Sequence, residues 1–289
     1  MKLSVLIPTY NYDCRQLVLQ LKEQLPADAE IIVGDDCSPD KGIAQILSEI
    51  NAMEGCRLWR AEHNLGRAAI RNALAREAKG QWLLFIDSDA LVRSRDYITD
   101  YLSATEAAKV ICGGTGNLDE CPRPAARLRY DYEVSVEKRL TLPYRRLHPY
   151  DQFTTFNFMI ERDLFLSVLF DEHCLEYGHE DTLFGLELKL RGIPVHHIDN
   201  KLTHTGLEDA EVYLQKTETA LRSLSVLSLD MRRHARVSAL ALRLQELHLL
   251  WLVKVFFRIS KPLLRRNLLG RHPSGLLFAL YKLGFYATL

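Results

Sequence analysis

Two aspartates separated by one residue follow a short apolar run of the chain. Residues 82–86, Trp-Leu-Leu-Phe-Ile, lie between Gly80-Gln81 and the triplet Asp87-Ser88-Asp89. The length and boundaries of this run predict a buried strand. Ligands bind beyond the carboxyl ends of strands in open α/β sheets, so both aspartates would project into that crevice. Two carboxylates there suit Mg²⁺ or Mn²⁺, although Asp-Ser-Asp is also common turn and helix-cap chemistry.

Other polar motifs follow predicted strands or open predicted helices. Pro8-Thr9-Tyr10-Asn11 follows the strand-like residues 3–7, and Asp35-Asp36-Cys37-Ser38 follows residues 30–34. Asn64-Leu65-Gly66-Arg67 leads into a helix that carries Arg71-Asn72. These positions predict that several polar side chains meet at one edge of the sheet.

A second acidic pair opens a helix late in the chain. Glu180 and Asp181 follow Tyr177-Gly178-His179 and start an amphipathic pattern that ends at Gly192. The pair could serve in catalysis, or it could stabilise the positive end of the helix dipole by about 0.3–1 kcal/mol per residue. His204 lies in a predicted loop, residues 202–206, where a lone histidine is more often structural than a ligand.

The chain repeats a strand, loop and helix pattern. Predicted strands at residues 3–7, 30–34, 57–61 and 82–86 alternate with predicted helices. Residues 152–160 also have the composition of a strand. This alternation predicts an α/β fold with a mostly parallel sheet and helices on both faces.

Composition restricts the class of protein. The 37 basic and 37 acidic residues cancel, so no overall field would recruit nucleic acid. Six cysteines without a C-x-x-C pair argue against a zinc site and a disulfide framework, and they favour a reducing cytosol. We expect no signal peptide, because the first residues enter a strand pattern at once. We also expect no transmembrane helix, since no run reaches the roughly 18–20 apolar residues required.

The four motifs of the first 89 residues, taken in order, resemble the nucleotide-binding half of the family-2 glycosyltransferases. Phe170-Asp171-Glu172 followed by Glu180-Asp181 resembles the acceptor half of the same family. The resemblance implies a GT-A fold over residues 1–206, with a nucleotide-sugar-binding half, 1–116, and an acceptor half, 117–206. Residues 207–289 would form a basic, amphipathic helical extension.

The resemblance also implies roles for individual residues. Asp36 would bind the base, with Thr9 and Tyr10 in the same pocket, and Arg71 would lie beside the nucleotide. Asp87 would face the ribose or a metal-bound water. The implied nucleotide-sugar-binding set is Pro8, Thr9, Tyr10, Asp36, Asn64, Gly66, Arg71, Asp87 and Ser88. The implied metal ligands for Mn²⁺ or Mg²⁺ are Asp89, Asp87 and His204, and the implied catalytic residues are Asp181 as base and Glu180 as its supporting neighbour.

The chemistry of sugar transfer fits these residue types. Breaking the bond between sugar C1 and phosphate leaves a nucleoside diphosphate, whose growing negative charge a cation at Asp89 would stabilise. An acceptor hydroxyl needs a base, and Asp181 could take its proton. In-line attack would invert the anomeric centre, as the resemblance also implies.

The predicted function is metal-dependent, inverting transfer of one sugar from a nucleotide-diphosphate sugar, with UDP favoured, to a glycan or lipid-linked acceptor in cell-surface glycan assembly. In the resembled family Q-x-x-R-W accompanies polymerising synthases, and its absence here favours single transfer over polymerisation. Two residue differences from the family pattern, Cys37 in place of the common Gly and Thr155-Phe156-Asn157 near the acceptor, leave the acceptor open. The alternatives are a nucleotidyltransferase acting on sugar phosphates and a non-catalytic sugar-nucleotide-binding protein.

The C-terminal segment differs from the rest of the chain. From Met231 onward it contains eleven basic residues and one acid, Glu246. Apolar residues recur there at helical spacing, so these helices either pack on the catalytic domain or lie on an anionic membrane. The second alternative predicts a cytoplasmic protein, peripheral at the inner face of the cell membrane. It rests on aromatic residues interleaved with Arg and Lys: Trp251, Phe256, Phe257, Phe278, Tyr281, Phe285 and Tyr286.

Overall fold

The computed structural model describes residues 1–172 and 180–289. Cys174 and the predicted motif residues Tyr177, Gly178 and His179 lie outside the described residues. The described chain divides into two compact units. The first contains residues 1–117, 137–172 and 180–206, and the second contains residues 118–136 and 207–289.

The first unit is built on a seven-stranded sheet and a smaller three-stranded sheet. The strands of the described residues are β1 (Leu3–Thr9), β2 (Ala29–Asp35), β3 (Cys56–Arg60), β4 (Trp82–Ile86), β5 (Ala90–Leu91), β6 (Val110–Cys112), β7 (Thr115–Gly116), β8 (Asn157–Glu161), β9 (Val195–His197) and β10 (Leu202–His204). The helices of the first unit are α1 (Arg15–Lys22), α2 (Lys41–Asn51), α3 (Arg67–Glu77), α4 (Tyr97–Ser103), α6 (Leu142–Leu147), α7 (Arg162–Val168) and α8 (Glu180–Leu190). Helix α5 (Arg127–Arg139) has residues in both units.

The large sheet has the strand order β3-β2-β1-β4-β8-β6-β9. β1 pairs in parallel with both β2 and β4, and β2 pairs in parallel with β3. β8 is antiparallel to its neighbours β4 and β6. The predicted fold class, α/β with a mostly parallel sheet flanked by helices, is therefore confirmed. The parallel pairing also places the carboxyl ends of β1, β2 and β4 at one edge.

Both faces of the large sheet are covered. In β1, Leu3, Val5 and Ile7 belong to one buried apolar cluster, whereas Leu6 belongs to another. Alternate residues of a strand point to opposite faces, so two separate cores are expected when helices cover both sides. The cross-strand pair Phe85 and Phe158 stacks with ring centroids 4.8 Å apart. These contacts fix the register between β4 and the antiparallel β8.

Three local predictions from the sequence are wrong. Pro8 and Thr9 belong to β1, not to the loop after it, because Pro8 aligns with Gly34 near the end of the ladder and still offers its carbonyl. Residues 202–206 are not all loop, since residues 202–204 form β10 between β5 and β7. The apolar segment 152–160 is a strand only from Asn157 onward. Each wrong prediction concerns residues whose structure depends on pairing with a distant segment. Local periodicity does not predict such pairing.

The glycine-rich exit of β6 is a close backbone approach. A Cβ atom on Gly113 would overlap the Asn200 carbonyl oxygen, and Gly114 has a φ of +94°. The nearby Asn157 side chain is buried and donates to the carbonyl oxygens of Gly114, at 2.9 Å, and Asn200, at 2.8 Å. Its Oδ1 accepts hydrogen bonds from two buried tyrosines, Tyr97 and Tyr101. The amide therefore holds β6, β8 and the chain before β10 together.

A buried histidine on β9 gives the first unit a pH-dependent stability. His197 Nε2 donates to the Pro149 carbonyl oxygen at 2.9 Å, and Nδ1 lies 3.3 Å from Arg145 Nη1. Arginine only donates, so Nδ1 must accept and the ring must be neutral. Burial lowers the pKa of His197 from 6.5 to about 4, and the positive charge of Arg145 acts in the same direction.

We expect this group to destabilise the fold in mild acid. Between pH 6.5 and about 4 the unfolded histidine binds more protons than the folded one, so the free energy of unfolding falls as pH falls through this window, by up to about 3 kcal/mol. Urea unfolding of wild type and His197→Gln between pH 7 and 4 measures the difference. His148→Gln, at an exposed histidine, is the control and should keep the wild-type slope. A wild-type slope in His197→Gln would contradict the assignment.

The second unit is a helical cluster. It contains α9 (Ala210–Val226), α10 (Leu229–His234), α11 (Arg236–Glu246), α12 (Leu250–Leu268) and α13 (Gly275–Thr288). Four of these helices, α9, α11, α12 and α13, share one buried apolar cluster with Leu128 of α5. No helix among residues 1–172 and 180–289 is long and apolar enough to cross a bilayer.

The predicted aromatic membrane contacts need correction. Most of the aromatic residues proposed to face lipid are buried within this cluster: Phe257, Phe278, Tyr281, Phe285 and Tyr286. Trp251 and Phe256 are exposed. Composition could not separate these two groups, because burial depends on which face of each helix meets its neighbours.

Candidate active site

The end of β2 holds two aspartates with different partners. Asp35 is fully buried and pairs with Arg60 Nε at 2.7 Å. Asp36 accepts from the backbone N–H groups of Leu65, at 2.6 Å, and Gly66, at 3.0 Å. Burial raises the pKa of Asp36, while these two hydrogen bonds oppose the rise. Asp36 thus holds the loop that leads into α3, and the structure brings it together with the predicted residues Asn64 and Gly66.

Glycine is required at the start of α3. Gly66 has a φ of +82° and occupies the N-cap position, a conformation that costs other residues energy. The Asn64 side chain donates to the Asp36 carbonyl oxygen at 3.2 Å. A similar constraint applies at Cys37, whose φ is +62°. The common glycine at that position in the resembled family therefore has a backbone reason, and cysteine here adopts an unfavourable conformation.

The end of β1 lies beside Asp36. Thr9 is buried, and its carbonyl oxygen accepts from the Asp36 N–H at 2.9 Å. Tyr10, the next residue, is half exposed. Pro8 aligns with Gly34 of β2. The predicted nucleotide-sugar-binding residues Pro8, Thr9 and Asp36 therefore lie on adjacent strand ends.

α3 contributes a buried arginine to the aspartate triplet. Arg71 is only 2% exposed, and its Nη2 donates to Asp87 Oδ1. Its Nη1 donates to the carbonyl oxygen of Arg67, one turn earlier, at 2.9 Å. The third nitrogen, Nε, is buried without a hydrogen-bond acceptor among the described residues. Arg71 was predicted beside the nucleotide, and in the structure it pairs with Asp87.

Asp89 lies against the chain after β10. His204 Nε2 is 3.1 Å from Asp89 Oδ2, and the Asp89 carbonyl oxygen accepts from the N–H and hydroxyl of Thr205 at 2.8 and 2.7 Å. A Cβ atom on Gly206 would overlap the Asp89 carboxylate, so only glycine permits this approach. Tyr12 adds a hydrogen bond to the Thr205 hydroxyl at 3.1 Å. The pairing of β10 with β5, which the sequence missed, is what brings His204 to Asp89.

Asp89 Oδ2 and His204 Nε2 are hydrogen-bond partners, and both atoms are also of types that bind cations. Adjacent ligands in an octahedral shell of about 2.1 Å radius lie about 3.0 Å apart, and these two atoms are 3.1 Å apart. A carboxylate oxygen and an imidazole nitrogen both suit Mn²⁺. Among the residues outside 173–179, no group of three or more His, Cys, Asp and Glu forms a potential metal cluster. The predicted third ligand, Asp87, is held by Arg71 instead.

The acidic pair of α8 splits into two environments. Glu180 is 7% exposed, and its Oε1 lies 3.4 Å from Arg67 Nη1. Asp181 is only half-buried, and its Oδ1 accepts from the N–H of Thr182 at 2.7 Å. At the first turn of the helix, the dipole favours negative charge on both carboxylates.

α3 connects the donor and acceptor motifs. Arg67 contacts Glu180, and Arg71, four residues later on the same face, contacts Asp87. Asn72 donates to the Phe170 carbonyl oxygen at 2.9 Å and to Glu172 Oε1 at 2.8 Å. One helix thus contacts the aspartate triplet, the Phe170-Asp171-Glu172 motif and the acidic pair.

Sequence reasoning missed the roles of three of these residues. Arg67 could have been found from its spacing of four to Arg71, which predicts a shared face on a helix. Tyr12 and Thr205 gave no local signal, because 193 residues separate them. The remaining predicted residue, Ser88, lies half-buried between the two aspartates.

Fold and site together define a class of protein. An open, mostly parallel sheet that gathers aspartates beyond neighbouring strand ends is typical of α/β enzymes that bind nucleotides. A model of glycosyl transferase family 2 matches residues 4–166, more than half of the chain. The chain therefore belongs to glycosyl transferase family 2, and the resemblance seen in its motifs is confirmed.

Curated relatives are also glycosyltransferases. An uncharacterized glycosyltransferase of Haemophilus influenzae is 27% identical over 187 residues, which cover 64% of this chain and 70% of that protein. A second one from the same organism is 36% identical over 89 residues, covering 30% of this chain and only 29% of that protein. The poly(ribitol-phosphate) beta-N-acetylglucosaminyltransferase TarS of Staphylococcus aureus is 35% identical over 94 residues, covering 31% of this chain and 16% of TarS.

Solved structures share the fold. The crystal structure of S. aureus TarS 1–349 has a TM-score of 0.56 at 21% identity, covering all of this chain and 90% of that one. The same TarS fragment has been solved with UDP-GlcNAc. The mannosyltransferase PcManGT of Pyrobaculum calidifontis, solved with GDP-Man and Mn²⁺, has a TM-score of 0.58 at 15% identity, covering 99% of this chain and 85% of that one. The predicted GT-A-type fold is confirmed.

Proposed function

We propose that this glycosyltransferase moves a single sugar from a nucleotide-diphosphate sugar, UDP-linked, to a hydroxyl of a glycan or lipid-linked acceptor, with inversion and with a divalent cation. The observation that carries this proposal is the set of contacts made by α3. Arg71 reaches Asp87 of the donor motif, and Arg67 reaches Glu180 of the acceptor motif. Because both arginines belong to one helix, the two groups of acids face a common region.

The nucleotide would bind at the ends of β1 and β2. Asp36, Thr9, Tyr10 and Pro8 would line the base pocket, and the loop of Asn64 and Gly66 would hold Asp36 in place. The orphaned Arg71 Nε supports a nearby diphosphate, since a phosphate oxygen is an acceptor of the right chemistry. The complexes of TarS with UDP-GlcNAc and of PcManGT with GDP-Man support a nucleotide-sugar donor by fold likeness.

Asp89 and His204 would hold the cation, Mn²⁺ or Mg²⁺, with Asp87 facing the ribose or a bound water beside Ser88. When bound, the cation supplies electrostatic stabilisation to the departing nucleoside diphosphate. Thr205 fixes the backbone of Asp89, so this carboxylate is oriented before donor binds. Arg71 holds the Asp87 carboxylate directly, by an ion pair.

Asp181 would take the proton of the acceptor hydroxyl. Its helix-terminal position favours the charged carboxylate that a base must present. Glu180 is paired with Arg67 and would position the start of α8, where it could also contact acceptor. Attack from the side opposite the diphosphate inverts the anomeric centre.

We assign these steps to residues 1–206, with donor binding in 1–116 and acceptor binding in 117–206, and treat 207–289 as a helical extension. Cell-surface glycan assembly at the inner face of the cell membrane is the setting that suits a lipid-linked or glycan acceptor.

A thermal-shift experiment tests the donor assignment. We expect one nucleotide class, UDP-sugars, to raise the melting temperature in the presence of Mn²⁺, because a ligand of the folded state stabilises by about 2.7 kcal/mol at 100 times its Kd. GDP-sugars and dTDP-sugars at equal concentration are the matched comparison, and EDTA should abolish the shift. Slow release of UDP from the bound donor would accompany it.

Equal shifts with all three donors would overturn the UDP assignment. Release of pyrophosphate from a nucleoside triphosphate and a sugar phosphate would favour a nucleotidyltransferase. Donor binding without any release of nucleoside diphosphate, with or without acceptor, would favour a non-catalytic binding protein.

A further inference from the structure

α12 exposes an apolar face. Its inner face packs into the helical cluster through Phe257, Leu264 and Leu268. On its outer face, apolar residues recur about every four positions over a length of about 18 Å. We call this surface the α12 face, and it contains Trp251, Leu252, Val255, Phe256, Ile259 and Leu263. Ile259 and Leu263 are 75% and 70% exposed. Apolar stripes of this extent on a helix mark an interaction surface.

The charges around the α12 face have one sign. Residues 250–289 contain seven lysines and arginines and no aspartate or glutamate. Some of these cations are used within the cluster, since Arg265 pairs with Glu211 at 2.5 Å and Lys282 lies over the ring of Tyr132. Others make no ion pair with a described residue: Lys254, Arg258, Arg266 and Arg271. The surface is therefore apolar with an uncompensated positive border.

A cavity of about 480 Å³ lies at the C-terminal end of α12. Its lining combines cationic and apolar groups without an acid: Leu263, Arg266, Asn267, Gly270, Arg271 and His272. Leu263 belongs to both the cavity and the α12 face. Two arginines that line one cavity suit a phosphate ester, and the adjoining apolar stripe suits acyl chains.

We propose that the α12 face binds the surface of an anionic lipid bilayer, with the cavity at Arg266 and Arg271 receiving the phosphate of an anionic phospholipid headgroup. An apolar helix face bordered by Lys and Arg is the pattern of helices that lie in the membrane interface. A second copy of the chain fits less well, because an isologous contact would bring two like-charged borders together. This proposal depends on the second unit and not on sugar transfer.

Co-sedimentation of the full chain with sucrose-loaded vesicles tests the proposal. We expect binding to vesicles of phosphatidylglycerol and phosphatidylcholine, and little binding to phosphatidylcholine alone. Each basic residue near an anionic surface contributes about 1 kcal/mol, or about fivefold in partitioning. Arg266→Ala/Arg271→Ala should therefore lower partitioning by about tenfold or more. Phe256→Ser/Ile259→Ser should lower binding as well, and raising the salt concentration should weaken it.

The control is Arg95→Ala/Lys189→Ala, which removes two exposed charges from the first unit. It should bind vesicles as wild type does, and melting temperatures of all variants establish that they are folded. Equal partitioning of the control and the Arg266/Arg271 variant would overturn the proposal. So would equal binding of wild type to neutral vesicles, or a dimer in solution that the Phe256/Ile259 variant dissociates. Because the readout is sedimentation, this result is separate from any failure of donor binding.

Discussion

Asp181→Asn is expected to lower the rate of sugar transfer by about 10²–10⁴-fold while leaving donor affinity unchanged. Removing a general base slows a reaction by this factor, which corresponds to an increase of about 3–5 kcal/mol in the activation free energy. The substitution preserves local structure, because an asparagine Oδ1 can still accept from the N–H of Thr182. Initial rates with saturating donor and acceptor, together with a donor titration by thermal shift, measure the two quantities separately.

The pH profile adds a second readout. The acidic limb of the wild-type rate profile reports ionisation of the base, and it should disappear in the Asp181→Asn variant. Asp163→Asn is the matched control, because Asp163 is also an acid in the first turn of a helix and is 93% exposed. A wild-type rate in Asp181→Asn would remove this residue from the catalytic role.

Asp89→Ala is expected to abolish Mn²⁺-dependent donor binding. A cation held by Asp89 and His204 would supply several kcal/mol of electrostatic stabilisation to the bound donor, so the donor KM should rise by about 100-fold or more. The backbone contact from the Asp89 carbonyl oxygen to Thr205 does not involve the side chain, and the fold should persist. Donor titrations with Mn²⁺ and with EDTA measure the effect.

The two variants should differ in the metal dependence of donor binding. Asp89→Ala should bind donor equally weakly with and without Mn²⁺, whereas Asp181→Asn should keep the full metal-dependent shift. Asp96→Ala, at an exposed aspartate of the same unit, controls for loss of negative charge. If Asp89→Ala retained the wild-type Mn²⁺-dependent shift, the cation would have to bind elsewhere.

The local sequence was sufficient to predict that the donor motifs meet at one edge of the sheet. Asp36 and Asp87 each follow an apolar run, and parallel strands bring such positions together wherever the strands are neighbours. The start of α8 could also be predicted from the sequence, because Glu180 begins a helical pattern that ends near Gly192. These features depend on short segments whose pattern and structure agree.

Contacts between distant segments could not be predicted from the local sequence. β10 is three residues long, and only its pairing with β5 and β7 defines it, so His204 was assigned to a loop. Phe256 and Phe257 are adjacent and chemically identical, yet one is exposed and the other buried. A helix turns about 100° per residue, so their surroundings depend on where α12 meets α13.

The contacts of α3 constrain how this enzyme can be recombined with relatives. Arg71 belongs with the donor aspartates, whereas Arg67 and Asn72 belong with the segments around Glu180 and Phe170. A chimaera that exchanges acceptor halves at residue 116 would leave Arg67 and Asn72 facing foreign partners, whereas Arg71 would keep Asp87. Crossover points that transfer Arg67, Asn72, Glu180 and the 170–172 segment as one block should yield folded hybrids more often than a single junction at residue 116.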